Sequence, residues 1–329
     1  MKLVSLCVIA IVSCLFYSCS CSKCDSSVPV VSQQYVHKYG FDVSPDEWVQ
    51  RASEGKIISM LENGVKATES FENGILHGMA SYTFPYSDIV EKVKVYDQGI
   101  LLKEVLQDRK GVPIQEEMYE FDNRKILTLW DHNGAPLSVE EYNGESLVEG
   151  TYYNSVGDIE STVQEGTGTR IKRDRLGKLL IKDQMEGGIL SCRTTYHPNN
   201  QVEMISHYDN YTLHGEQTVF TPSGKLHIKA GWDHGKLHGL KIVYKEGVPY
   251  LETSYRCGKK NGPERQYDED GSLISEVFYW EDLKHGTSTN INGYKVQQDW
   301  FYYGKPVSAQ QYKFMEEQSK SLVEFKKAS

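Results

Sequence analysis

Five aromatic residues, Tyr208, Trp232, Tyr255, Tyr279 and Tyr302, stand 24, 23, 24 and 23 positions apart. A fixed period in the range of roughly 20–50 residues marks a stack of repeated units, and it constrains the fold more than any local signal does. A second row, Tyr196, Phe220, Tyr244 and Tyr267 with Ile291 in its last slot, shares the step, as does a glycine row at Gly215, Gly239, Gly262 and Gly286. Continued upstream, the glycine row meets Cys192 and then Gly168.

Each period reads as strand, turn, strand, turn. Residues 264–267 lead into Asp268-Glu269-Asp270-Gly271, where Gly reaches positive φ freely and Asp side chains hold the neighbouring backbone. Over 273–280, alternation places Leu273, Ser275, Val277 and Tyr279 on one face and Ile274, Glu276, Phe278 and Trp280 on the other. Short strands punctuated this often predict an all-β fold, an elongated antiparallel sheet of tandem hairpins. A lone hairpin is marginal in water, so each unit must bury its aromatics against its neighbours. If fully buried, a ring such as Trp232 contributes about 3–5 kcal/mol over Ala.

The strings Asn73-Gly74-Ile75-Leu76-His77-Gly78, Tyr211-Thr212-Leu213-His214-Gly215, Gly235-Lys236-Leu237-His238-Gly239 and Asp282-Leu283-Lys284-His285-Gly286 resemble the bacterial variant of MORN repeats. The resemblance is strong from about residue 168 to 304 and degrades upstream, where 73–82 and 143–150 still carry it. Asn261-Gly262 lacks the His, and Ile291 lacks the aromatic. The resemblance implies hairpin arrays that serve as scaffolds and as protein or lipid contact surfaces, without catalysis.

The domain reading follows: a signal at 1–18, a tether and N-terminal cap at 19–53, diverged repeats at 54–165 continuing the same sheet, regular repeats at 166–305 and a helical tail at 306–329. Met1-Lys2 and the apolar run 3–17 read as a secretory signal, too short for the roughly 20 residues of a membrane span. Ile11-Val12-Ser13-Cys14 and Phe16-Tyr17-Ser18-Cys19 both look like lipoprotein processing sites. Signal length favours Cys19 as the lipid attachment residue, with Cys14 the alternative, and two acyl chains would anchor the protein stably. The other reading is a cleaved signal and a free periplasmic or secreted protein. Residues 20–32 read as a polar tether, with Cys21 and Cys24 in it. Ser44-Pro45-Asp46-Glu47 predicts a short helix start, and the aromatic-bearing tail from 308 predicts a second helix. Both are expected to cap the array.

A net charge of −9 disfavours nucleic acid. The basic group Arg170, Lys172, Arg173, Arg175 and Lys178 alternates like a strand face and reads as a solvated edge. Cys192 and Cys257 are too many hairpins apart for a disulfide in a straight sheet, so both are expected as free thiols. His77, His214, His238 and His285 recur before Gly. Equivalent positions on adjacent hairpins stand about 9.6 Å apart, too far for one zinc ion to bridge, so each histidine is expected to pack a turn and no metal is expected. Nucleophile-elbow, phosphate-loop and zinc-protease motifs are absent from the sequence, and no cofactor or catalytic residue is assigned.

The function expected is a non-catalytic, membrane-tethered scaffold or adaptor in the bacterial envelope, binding a protein partner on the face the aromatic ladder leaves free. Exposed sheet ends make a homodimer a reasonable expectation. The alternatives are an antitoxin- or immunity-like inhibitor of a toxin or effector, and an enzyme using the sheet as a platform.

Overall fold

The computed structural model describes residues 28–328, with side chains as far as residue 319. The signal and the four cysteines Cys14, Cys19, Cys21 and Cys24 lie outside the described residues. What is described is one open antiparallel sheet of 25 strands with a short helix near its start and a longer one at its end. Strand Val30–His37 pairs with Asp42–Val43 on one side and Gly55–Leu61 on the other. From there each strand pairs with the next along the chain as far as Lys305–Val307, so residues 54–165 share the sheet of the regular repeats. The strand starting at Val30 takes the last residues of the expected tether, because its β-branched and aromatic residues favour extended backbone and it finds a backbone partner in Gly55–Leu61.

The two long edges are built from different turns. On one, two-residue turns such as Asn73-Gly74, Glu165-Gly166, His234-Gly235 and Tyr303-Gly304 have both residues at positive φ, the type I′ geometry that matches strand twist. On the other, loops such as Asp268 to Gly271 are held by the Asp268 carboxylate, which accepts the amides of Asp270 and Ser272 at 3.0 and 2.8 Å. Successive type I′ turns are latched together. Gly99 N–H donates to Leu76 O, Gly235 to Leu213 O, Gly258 to Leu237 O and Gly304 to Lys284 O, each at 2.8 Å.

A sheet one layer thick buries little. Ten apolar residues are buried among those described, and half of them, Leu147, Tyr152, Val163, Ile171 and Met185, form one cluster. There the sheet curls. Strands Ile159–Gln164 and Thr167–Arg173 pair through only Val163↔Gly168 and Gln164↔Thr167, and a Cβ on Gly168 would lie 2.2 Å from Thr162 O.

Helix α1, Pro45–Gln50, begins with a reciprocal cap: Ser44 Oγ accepts the Glu47 amide at 3.2 Å and Glu47 Oε2 accepts the Ser44 amide at 3.0 Å. Its buried Trp48 packs on Tyr35 and Phe71 at ring separations of 5.6 and 6.2 Å. Helix α2, Ala309–Ala328, sets Tyr312 against Trp300, Tyr302 and His285. Both helices thus cover terminal strands with aromatic side chains. Cys192 and Cys257 are free.

Candidate interaction face

The repeat's His-Gly pair is a β-bulge. In four hairpins of the regular repeats and in the hairpin at 66–83, three residues on one strand oppose a single residue on the other. Ser70 faces 77–79, His207 faces 214–216, Gly231 faces 238–240, Ser254 faces 261–263 and Phe278 faces 285–287. The central residue is Gly78, Gly215, Gly239, Gly262 or Gly286, at φ of 82, 87, 80, 107 and 106°. L-residues rarely adopt that conformation, which is why Gly holds the slot. The bulge strands a carbonyl, and the opposing side chain takes it: Ser70 Oγ donates to Met79 O, and His207 Nδ1 to Glu216 O, each at 2.7 Å.

The first aromatic row sits beside these bulges. Gly215 lies opposite Trp232, Gly239 opposite Tyr255 and Gly262 opposite Tyr279. On its other side each ring faces the motif's Leu position: Leu213 for Tyr208, Leu237 for Trp232, Lys260 for Tyr255 and Lys284 for Tyr279. At the last rung the structure corrects the sequence reading. Gly286 is opposite Phe301, not Tyr302, and Lys284 lies over the Phe301 ring at 5.0 Å as Lys260 lies over Tyr279 at 4.8 Å. The connection before this strand is a tight turn at Gly293-Tyr294 in place of the longer loop used at 268–272. The ladder residue is therefore reached one position earlier, and the constant spacing misassigns it. Tyr302 turns to the opposite face, 5.1 Å from His285 and 6.1 Å from Tyr312 of α2.

Strand alternation puts the two aromatic rows on opposite faces. Tyr208, Trp232, Tyr255 and Tyr279 share a face with the small residues Ser206, Ala230 and Thr253, which are buried. Tyr196, Phe220, Tyr244 and Tyr267 lie on the other, among Glu252, Arg265 and Glu276. Tyr267 donates to Glu252 at 2.9 Å, and Arg265 donates to Glu276 at 2.8 Å. Neither face is free of aromatics, so the expectation of one filled and one unoccupied face does not hold. Trp232 and its equivalents are half-buried.

At the curl the ladder face becomes concave and charged. Arg170 donates from Nε and Nη2 to the two carboxylate oxygens of Glu140, both at 2.7 Å, and Tyr142 and Tyr152 donate to the same carboxylate at 2.6 and 3.0 Å. Glu140 is 3% exposed. Burial pushes its carboxyl up, but the Arg170 guanidinium and the two hydroxyls outweigh this and hold it below the ordinary carboxylate range. Burial first, then the Glu140 charge, raises the Tyr142 and Tyr152 phenols, so both stay protonated. Arg193 makes a second bidentate pair with buried Asp183, at 2.7 and 2.8 Å. The basic group thus does not form a solvated edge: Arg170 pairs with Glu140, Arg173 with Glu160 and Arg175 with Asp108. One sequence signal marks the place. Asp183 occupies the slot that Ser206, Ala230 and Thr253 fill downstream, and a buried charge there requires a cation.

The repeat histidines pack turns at two sites. His77 Nδ1 accepts the Gln98 amide at 3.4 Å, and His285 Nδ1 accepts the Tyr303 amide at 3.2 Å. His285 also holds α2 through Glu316 Oε1 at 3.0 Å. His214 differs, meeting the Asp233 carboxylate at 3.4 Å and the His234 ring at 4.9 Å. Equivalent positions on adjacent hairpins stand too far apart to share one ion, but His214, Asp233 and His234 occupy non-equivalent positions and meet.

Sheet topology and motif geometry define a tandem β-hairpin repeat protein. Residues 192–210, 213–234 and 260–281 match the family model described as MORN repeat variant. No curated protein matches the chain. The matched stretches hold Tyr196, Tyr208, Phe220, Trp232, Tyr267 and Tyr279, with Gly215 and Gly262. Tyr244, Tyr255, Gly239, Gly286 and Tyr302 fall between or beyond them.

Proposed function

We propose that this protein is a non-catalytic repeat scaffold of the bacterial envelope, tethered to a membrane by a lipid on Cys19 or Cys14, that offers a sheet face to protein partners. The observation that carries the reading is the face bearing Tyr196, Phe220, Tyr244 and Tyr267. It presents aromatic and charged groups at repeat spacing and leaves Leu240, Trp280 and Leu283 43, 45 and 46% exposed. Aromatic anchors among charged groups are typical of protein interfaces. The export-type N-terminus and the nearby cysteines support the tether.

A photo-crosslinking amino acid at position 240, introduced in cells, tests the surface. Discrete crosslinked partners that disappear on Trp280→Glu are expected. Crosslinks unchanged by that substitution would refute the assignment of this face. Metabolic labelling with an alkyne fatty acid tests the tether, with label lost in either Cys19→Ser or Cys14→Ser, and no label in the native chain would refute it.

A further inference from the structure

His214, Asp233 and His234 bring three ligating atoms to within 4.8 Å of one another. His214 stands in the bulge of strand Thr212–Phe220, whereas Asp233 ends strand Leu226–Asp233 and His234 opens the next two-residue turn. Asp233 Oδ1 lies 3.4 Å from His214 Nδ1 and 2.6 Å from His234 Nδ1. The two imidazoles meet at 64°. Asp209 completes the surroundings, its Oδ2 3.9 Å from His234 Nε2.

We propose that this trio is a binding site for a divalent transition-metal ion of the zinc type. Tetrahedral ligands at about 2.0–2.1 Å from an ion stand about 3.3 Å from one another, and the Asp233–His214 pair already has that separation. His234 requires only that its hydrogen bond to Asp233 give way, the ion replacing the shared proton. Two imidazoles and one carboxylate suit zinc and its late first-row neighbours, not calcium or magnesium, which take oxygen ligands. The fourth position falls to water, and Asp209, beside Nε2 of His234, adds a negative charge outside the ligand set.

The backbone holds the group ready. Gly235 N–H donates to Leu213 O at 2.8 Å, so the latch between the two hairpins joins the neighbours of both histidines. His234 itself is fixed at φ 45° by the turn. Among the repeats the combination occurs once. The pair corresponding to Asp233-His234 is Asp97-Gln98 after His77, Arg256-Cys257 after His238, Trp280-Glu281 after Asn261 and Tyr302-Tyr303 after His285. A bound ion would clamp two adjacent hairpins within the stretch that matches the family model.

The test is zinc titration of the chelator-stripped full chain at neutral pH in competition with a chromophoric chelator, followed by cobalt as a spectroscopic stand-in. One equivalent of zinc and visible cobalt bands of tetrahedral intensity are expected. His214→Ala and His234→Asn should each weaken zinc binding by about tenfold or more. Asn is favoured in this turn conformation, so the second variant removes the imidazole while keeping the fold. His227→Ala, about 20 Å away along the same strand, should bind as the native chain does. No stoichiometric uptake, or uptake of equal affinity in His214→Ala and His234→Asn, would overturn the proposal.

Discussion

Arg170 grips Glu140 through two 2.7 Å hydrogen bonds although their strands, Thr167–Arg173 and Pro136–Asn143, stand three apart in the sheet. In a flat sheet that separation would be about 14 Å. The ion pair therefore records the curl, and it closes the cluster around Tyr152.

Removing one partner leaves the other charge nearly buried. Arg170→Met or Glu140→Gln should destabilise the fold by about 3–5 kcal/mol, while the double replacement Glu140→Leu with Arg170→Met should recover much of that loss. Because the folded Glu140 carboxyl is depressed, its contribution is present above the ordinary glutamate range and is lost as pH falls through the folded value. Urea denaturation of the native chain between neutral and acid pH should show a decline there that Glu140→Gln lacks. Parallel declines in both proteins would contradict the assignment.

The bulge glycines and Gly231 should respond to alanine for different reasons. At Gly239 a Cβ meets nothing within 4 Å, but φ is 80°, so Gly239→Ala should cost about 1–2 kcal/mol. At Gly231 the backbone is ordinary, but a Cβ would lie 2.3 Å from His238 O. Gly231→Ala should be the more damaging of the two in denaturant titrations, and the reverse order would show that conformation outweighs space.

Phe301 and Tyr302, adjacent in the chain, serve different partners. Tyr302→Ala should raise hydrogen exchange across α2 while leaving the strand hairpins protected, whereas Phe301→Ala should loosen Leu283–Asn292 and Lys295–Tyr302 first. Exchange mass spectrometry separates the two patterns. Release of α2 by both changes equally would return Tyr302 to the ladder.

Trp232 is half-buried, so Trp232→Ala should fall short of the loss that full burial implies, at about 2 kcal/mol by chemical denaturation. A loss of 4 kcal/mol or more would mean that the ring is sealed by something beyond its own sheet.

Much of this was legible from the residues because the repeat is a local device. The two-residue turns, the glycine bulge and the aromatic beside it recur with one spacing, and the Ser44 cap announces α1. What the sequence hides is non-local. The Glu140–Arg170 pair depends on curvature, which strand alternation does not carry, so Arg170 reads as a surface charge until the strands are placed. The last ladder residue is hidden by a shortened connection, since counting residues assumes that every loop is equally long. The His214 trio escapes a search among equivalent positions because its members occupy different places in successive repeats.

The latches between successive turns also bear on mechanics. With strands lying across the long axis, tension between the first and last hairpins pulls neighbouring strands apart edge from edge, and each latch adds one bond to that seam. Such a ribbon yields in steps, one hairpin at a time, and lengthens under load while the hairpins still closed keep their surface.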